Sequence, residues 1–292
     1  MKKKIAILSI ICLFEVVSCT NTNKDVQQDD SQKAEHMQFK SGYADINGIK
    51  MYYEIYGEGK PLVLIHGGGS TVQTSFGRII PELSKTHQII ALELQAHGRT
   101  SDRDADLSFK QDADDVASLM DNLNIEKADV LGFSNGGVTA LMLAIHYPEK
   151  VDKIIAASAL LKRDGTFPQF WEFMKGAKLE DMPQAYKDAF LEVTPDTIKL
   201  LAMHNKCAKR MVDFKDVTDE DLASIKADVL LVNADHDVAT VQHLVNMAKL
   251  IPNCSIAVFP GGHGEYMGEI TTLKEGKPNS LPILPVIQDF LQ

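Results

Sequence analysis

No apolar run in this sequence is long enough to cross a bilayer as a mature helix. The N-terminal stretch Ile5 to Phe14 stops at ten residues, where a spanning helix needs about 20. Cysteine is scarce, with four in 292 residues, and nothing in their spacing calls for a disulfide framework. Basic residues are outnumbered, 30 Lys and Arg against 40 Asp and Glu, for a formal net charge of −10. That balance argues against nucleic acid as a partner. His204 and Cys207 lie close together but lack further ligands at metal spacing, so no zinc site is expected. Internal repeats and low-complexity segments are missing as well. What remains is ordinary for one large globular domain, 45% hydrophobic and 24% charged.

The first forty residues read as separate from that domain. Lys2-Lys3-Lys4 is a basic region, Ile5 to Phe14 an apolar one, and Val16-Val17-Ser18 leads to Cys19. This is a secretory signal pattern, expected over residues 1–18. Val-Val-Ser-Cys also resembles a bacterial lipobox, which implies acylation of Cys19 and anchorage of the exported chain to a membrane of the cell envelope. A plain cleaved signal, giving a soluble periplasmic or secreted protein, is the other reading. Residues 19–40 are polar and without apolar periodicity, so a disordered tether is expected there. Cys12 leaves with the signal. Cys207 and Cys254 are read as small buried apolar residues.

The chemistry centres on Gly132-Phe133-Ser134-Asn135-Gly136-Gly137. The apolar run Ala128 to Leu131 before it reads as a buried strand, and Val138 to Tyr147 after it as a helix. A serine on a sharp strand-to-helix turn, flanked at two residues by glycines, is the nucleophile-elbow pattern. Such a turn lifts the hydroxyl clear of the sheet and sets the first amides of the helix beside it.

Around this motif the chain alternates strands and helices. Tyr43 to Ile55 reads as a hairpin turned by Asn47-Gly48. Strands are expected at Pro61–Ile65, Gln88–Leu94, Val151–Ala157, Asp228–Asn233 and Ser255–Phe259. Helices are expected at Ser75–Leu83, Ser108–Leu123, Val241–Leu250 and Leu284–Leu291. The alternation specifies a mostly parallel central sheet with helices on both faces. Asp112, Asp114 and Asp115 are read as solvating the outer face of their helix. From about Leu160 to Asp221 no strand is expected, only helical pieces punctuated by Pro168, Pro183 and Pro195.

Three further loops follow predicted strands: His66-Gly67-Gly68-Gly69, then Asn233-Ala234-Asp235-His236-Asp237, then Pro260-Gly261-Gly262-His263-Gly264. With the elbow, these motifs and their order resemble the α/β-hydrolase superfamily over nearly the whole chain after about residue 40. The resemblance implies a core of residues 41–159 and 222–292 with a helical cap at 160–221. It implies Ser134 as nucleophile, His263 as base and Asp237 as the anion that orients the base. The family pattern is Gly, two variable residues, then Asp. Ala234 stands in the Gly position, and this departure keeps Asp235 as the alternative acid. The oxyanion is expected on the amides of Asn135 and Gly68, with Gly69 as the alternative to Gly68.

The loop Glu93 to Ser101, with Ala96-His97-Gly98-Arg99-Thr100-Ser101, also resembles a family loop, with Ala96 where a glycine stands. His66, His97 and Arg99 are read as structural. In the cap, Phe167, Phe170, Trp171, Phe173 and Met174 are candidates for an acyl pocket, Trp171 foremost.

A serine nucleophile rules out the halide-displacing and epoxide-opening mechanisms, which use a carboxylate. No cofactor or metal is implied. The expected function is a carboxylesterase acting on small-to-medium, ester-like molecules through an acyl-enzyme. A C–C bond hydrolase, a lactonase, an aminopeptidase and a perhydrolase use the same triad, and a non-catalytic binding protein is the alternative of a different class. Asn135 after the serine, in place of the Trp typical of proline-releasing relatives, disfavours the peptidase.

Overall fold

The computed structural model describes residues 38–274 and 280–292. The expected signal, the expected acylation site Cys19 and all but the end of the expected tether lie outside them. The tether's last residues belong instead to the first strand, which starts at Phe39, two residues ahead of the expected core boundary.

β1 (Phe39–Ile46) and β2 (Ile49–Tyr56) form the expected hairpin. Asn47 and Gly48 both take positive φ, 45° and 86°, as a two-residue turn matched to strand twist requires. β3 (Lys60–Ile65) follows and is buried from Leu62 onward. The single helix expected at Ser75–Leu83 is two: α1 (Val72–Phe76), capped by Thr71, and α2 (Ile80–Leu83). Gly77 ends the first, and Pro81 sits in the first turn of the second, where a missing N–H is harmless. β4 (His87–Leu92) and α3 (Phe109–Asn122) come next. The elbow lies between β5 (Ala128–Phe133) and α4 (Asn135–His146), and β6 (Val151–Ala157) follows.

Between β6 and β7 the described chain forms only helices and turns: α5 (Pro168–Gly176), α6 (Gln184–Val193), α7 (Thr197–Val212) and α8 (Asp219–Ala223), with two short 3₁₀ turns. β7 (Asp228–Ala234), α9 (Val241–Leu250), β8 (Cys254–Phe259) and α10 (Ile283–Leu291) complete the fold. The sheet has eight strands in the order β1-β2-β4-β3-β5-β6-β7-β8. β1, β2 and β4 pair antiparallel, and every pairing from β4 through β3 to β8 is parallel. The strand ends of β3, β5, β6, β7 and β8 therefore all lie along one edge of the sheet, in adjacent positions. Crevices beyond such carboxyl ends are where open α/β sheets hold their ligands.

One reading of α3 is corrected. Asp114 is partly exposed and pairs with Lys110, but Asp112 and Asp115 are buried at 1% and 0% exposure. Asp112 accepts from Arg210 of α7 at 2.6 Å. Asp115 holds Arg103, Asn47 and Gln111. These carboxylates tie α3 to neighbouring segments and do not solvate an outer face. Cys207 and Cys254 are free thiols, partly rather than fully buried, and burial pushes both thiols up, Cys254 to about 11.

Candidate active site

Ser134 stands between β5 and α4 with φ 55° and ψ −120°, a region that costs a non-glycine residue ~1–3 kcal/mol. The flanking glycines make the turn possible. A Cβ on Gly132 would lie 2.1 Å from the Gly136 carbonyl oxygen, and one on Gly136 would lie 2.0 Å from that of Ile65. Neither position has room for a side chain, and the neighbours are backbone that cannot yield. Asn135 opens α4, so its amide belongs to the first turn, where no intrahelical acceptor exists.

His263 follows β8 and Asp237 follows β7. The imidazole Nδ1 lies 2.5 Å from Asp237 Oδ1, which leaves Nε2 as the free ring nitrogen. Phe133 backs the ring at 4.8 Å between centroids. The Asp237 side chain is fully buried. Burial works to raise its pKa, but the His263 contact, the Ser158 hydroxyl and the Ala234 amide outweigh it and hold the carboxyl below its ordinary value. Asp235 is half exposed and accepts from the Gly261 amide at 2.8 Å, so it shapes the His263 loop from outside. The geometry thus separates the two carboxylates: Asp237 meets the imidazole and Asp235 does not.

The loop after β3 is fixed by two buried histidines. His66 Nδ1 donates to the Gly67 carbonyl at 2.7 Å, and its Nε2 accepts from the Leu94 amide at 3.1 Å. His97 Nδ1 donates to Gln95 at 2.8 Å, and its Nε2 accepts from the Gly69 amide at 3.0 Å. Burial holds both imidazoles neutral. It pushes His97 to about 4, helped by the Arg210 charge, and His66 well below its usual value. Arg99 grips Glu93 through its backbone N–H and its guanidinium, at 2.6 and 2.8 Å. Ala96, in the place of a glycine, takes φ 66°. All three residues read as structural thus bind backbone or a neighbouring side chain and hold loops in place.

These elements close around a cavity of about 140 Å³ lined by Gly68, Ser134, Asn135, Ser158 and His263, with Leu160, Phe170, Met211 and Val238 as its apolar wall. Gly68 and Asn135 touch: a Cβ on Gly68 would come within 2.4 Å of Asn135 Nδ2. Gly69 is turned toward Met182, and its amide is taken by His97. Trp171 is not on the cavity wall. Its indole donates to the Arg163 carbonyl at 2.8 Å and packs against Phe214 and Phe170, with Arg163 over the ring. Its neighbour Phe170 faces the cavity. Phe173 and Met174 line an adjoining space of about 230 Å³ that also touches Gly68, and Phe167 is exposed.

A serine at an elbow, an imidazole–carboxylate pair facing it, and a parallel sheet that delivers them from successive strand ends decide the architecture. This is the α/β-hydrolase fold. The model of the alpha/beta hydrolase fold family matches residues 60–204. The chain is 38% identical over 112 residues to the 2-hydroxymuconate semialdehyde hydrolase of Pseudomonas sp. (strain CF600), a stretch that covers 37% of this chain and 39% of that protein. It is 34% identical over 116 residues to the Homo sapiens protein named serine hydrolase BPHL, covering 38% of this chain and 40% of that one. The chain thus spans about two-fifths of the length of these curated relatives. Among solved structures, the enol-lactonase from Burkholderia xenovorans LB400 superposes with a TM-score of 0.66 at 20% identity, over 86% of this chain and 99% of that one. A likeness at that identity carries the hydrolase fold alone.

Two residues at this hydrolase-fold site are not anticipated from the sequence: Ser158, which lines the cavity and donates to Asp237, and Tyr266, whose hydroxyl lies 2.6 Å from that of Ser158. Ser158 directly follows the last residue of β6, at the sheet edge where the other site residues gather, and that position was the available signal. Tyr266 carried no local signal.

Proposed function

We propose that the protein is a serine hydrolase, a carboxylesterase for small-to-medium esters working through an acyl-enzyme. The observation that carries this reading is the convergence of Ser134, His263 and Gly68 on one cavity, with His263 Nδ1 committed to a buried Asp237. Ser134 Oγ attacks the ester carbonyl while His263 Nε2 takes its proton. Asp237 fixes the tautomer and stabilises the imidazolium. The carbonyl oxygen, now negative, is held by the amides of Gly68 and Asn135 at the positive end of α4. His263 then returns the proton to the departing alcohol. Water repeats the sequence on the acyl-enzyme and releases the carboxylic acid. The helices of residues 160–221 act as a cap, supported by Phe170 and Met211 on the cavity wall.

Labelling with a fluorophosphonate probe tests the assignment. Wild-type protein labels and Ser134→Ala does not. Folded wild type that resists the probe and hydrolyses no ester would sink the enzyme reading in favour of a binding protein. A labelled protein inactive on every ester would move the substrate to C–C or lactone chemistry. The names of the Pseudomonas and Burkholderia proteins keep both in view.

We further propose export and lipid anchorage at Cys19, supported by the basic, apolar and Val-Val-Ser-Cys segments of residues 1–19. Cys19→Ser should leave the membrane fraction or remain unprocessed. A variant that migrates and fractionates like wild type refutes the anchor.

A further inference from the structure

We propose that Ser158 and Tyr266 are positioning residues that lock the Asp237 carboxylate in register with His263. The proposal rests on the triad reading above and adds two groups to it.

Asp237 has four hydrogen-bond donors for its four lone-pair positions. Oδ1 takes His263 Nδ1 at 2.5 Å and the Val238 amide at 2.7 Å. Oδ2 takes the Ser158 hydroxyl at 2.5 Å and the Ala234 amide at 3.2 Å. Without Ser158, Oδ2 would keep one long bond, and the carboxylate would be free to rock about its Cβ–Cγ axis and carry His263 with it.

The direction of the chain follows from chemistry. An ionised carboxylate only accepts, so the Ser158 proton points at Asp237. The Ser158 oxygen then has only lone pairs left for Tyr266, whose hydroxyl lies 2.6 Å away. Tyr266 is therefore the donor at the far end. Burial raises its pKa well above the usual phenol value, so it keeps the proton it must give. The ring is 1% exposed and stacks on Phe259, which leaves the hydroxyl one direction to point.

The backbone adds an independent observation. Ser158 sits at φ 53° with its amide donating to Val232 at 2.7 Å. Glycine fits that conformation without strain, whereas any residue with a Cβ is strained there. What serine adds over glycine at this point is the hydroxyl, and the hydroxyl is spent on Asp237.

Ser158→Gly therefore separates the two roles, because it relieves the backbone while deleting the donor. Relief of backbone strain and the loss of partners for the Tyr266 hydroxyl and the Asp237 carboxylate are of similar size and oppose one another, so the variant should stay folded with a melting temperature near that of wild type. Its kcat/KM for p-nitrophenyl acetate and its rate of fluorophosphonate labelling should fall about 10- to 100-fold, the range for a hydrogen bond to a charged group. A carboxylate stripped of one donor holds more charge toward the imidazolium and stabilises it, so the acid limb of the kcat/KM profile should move to higher pH. The groups that bear on this titration are His263 and, behind Ser158, Tyr266. Asp235 and His236 on the same turn point outward, and Glu265 is occupied with the Gly262 amide and Lys274. Tyr266→Phe should move the limb in the same direction by less.

Wild-type rates and an unmoved acid limb in Ser158→Gly overturn the proposal. So does a rate that falls only with the folded fraction while the limb stays in place. Asp237→Asn, run alongside, distinguishes the failures: if it too behaves as wild type, the triad reading falls and takes this proposal with it.

Discussion

Ser134 and Phe170 face the same cavity, yet the molecule holds them there by different means. Ser134 is fixed by backbone. β5 is buried along its whole length, and the two glycines of the elbow press against carbonyl oxygens at distances no side chain could occupy. Phe170 belongs to α5, a nine-residue helix in which Trp171 alone is buried, and α6 likewise buries only Phe190. The segment between β6 and β7 meets the rest largely through side chains, among them the buried Arg210–Asp112 pair, Phe214 against Phe109, Phe190 clustered with Ala96, and Lys206 on Asp102 and the Arg103 and Ala105 carbonyls. The proposed reacting groups are set by the sheet edge, and the apolar wall at Phe170 and Met211 is set by side-chain contacts of the helical segment. Chemistry and specificity are therefore separable by mutation.

The strongest challenge to that separation lies on the sheet side. Asp237→Asn should lower kcat by about 10⁴-fold with the fold intact, because the imidazole loses the anion that sets its tautomer. Asp235→Asn, in the exposed position, should change kcat by only a few-fold. The reverse ranking in steady-state kinetics would transfer the acid to Asp235 and break the correspondence between burial and role.

Next comes the fastening. Asp112→Ala strands the Arg210 charge at 3% side-chain exposure and should cost about 3–5 kcal/mol in urea unfolding. Replacing both partners with apolar residues, Asp112→Leu with Arg210→Met, should recover most of that. A single variant as stable as wild type would mean that the helical segment is held elsewhere.

The smallest expected effects fall on the wall. Burying a methylene stabilises by about 0.8 kcal/mol, so kcat/KM should rise roughly tenfold over two added carbons before the cavity fills. In a series of p-nitrophenyl esters, Phe170→Ala should shift the optimum to longer acyl chains. Trp171→Ala should leave the optimum in place and lower the melting temperature, since its indole packs behind the wall. An optimum that moves with Trp171 and not with Phe170 would overturn this assignment.

The same division governs what the sequence made legible. The strands from β3 to β8 were predicted within one or two residues. Their apolar runs are local, and in β3 to β7 residues buried on both faces leave no ambiguity of side, while β8, half exposed at the sheet edge, is legible from its run alone. Asp237 could be favoured over Asp235 because the spacing from Ala234 is itself local information. Asp112 and Asp115 were misread as a solvated face because the partner of Asp112, Arg210, lies 98 residues away. No periodicity within α3 reports it. Trp171 was expected at the cavity and Phe170 stands there instead. One residue along a helix is about 100° of rotation, and a short helix opened by Pro168 gives no pattern to fix that angle. Ser158 escaped notice for the opposite reason: its position was visible, but its strained φ and its bond to Asp237 belong to the folded chain alone.

For Ser134 as the proposed nucleophile, the backbone angle also limits which replacements mutation can install. Threonine carries the same hydroxyl, and many serine codons are one base from a threonine codon. At φ 55° a β-branched residue is a steric outlier, so threonine is disfavoured there. Cysteine, unbranched, fits the turn and offers a different atom. Evolution at this position therefore has an open road from oxygen to sulfur and a hindered one between the two alcohols. Shape decides there, ahead of any question of reactivity.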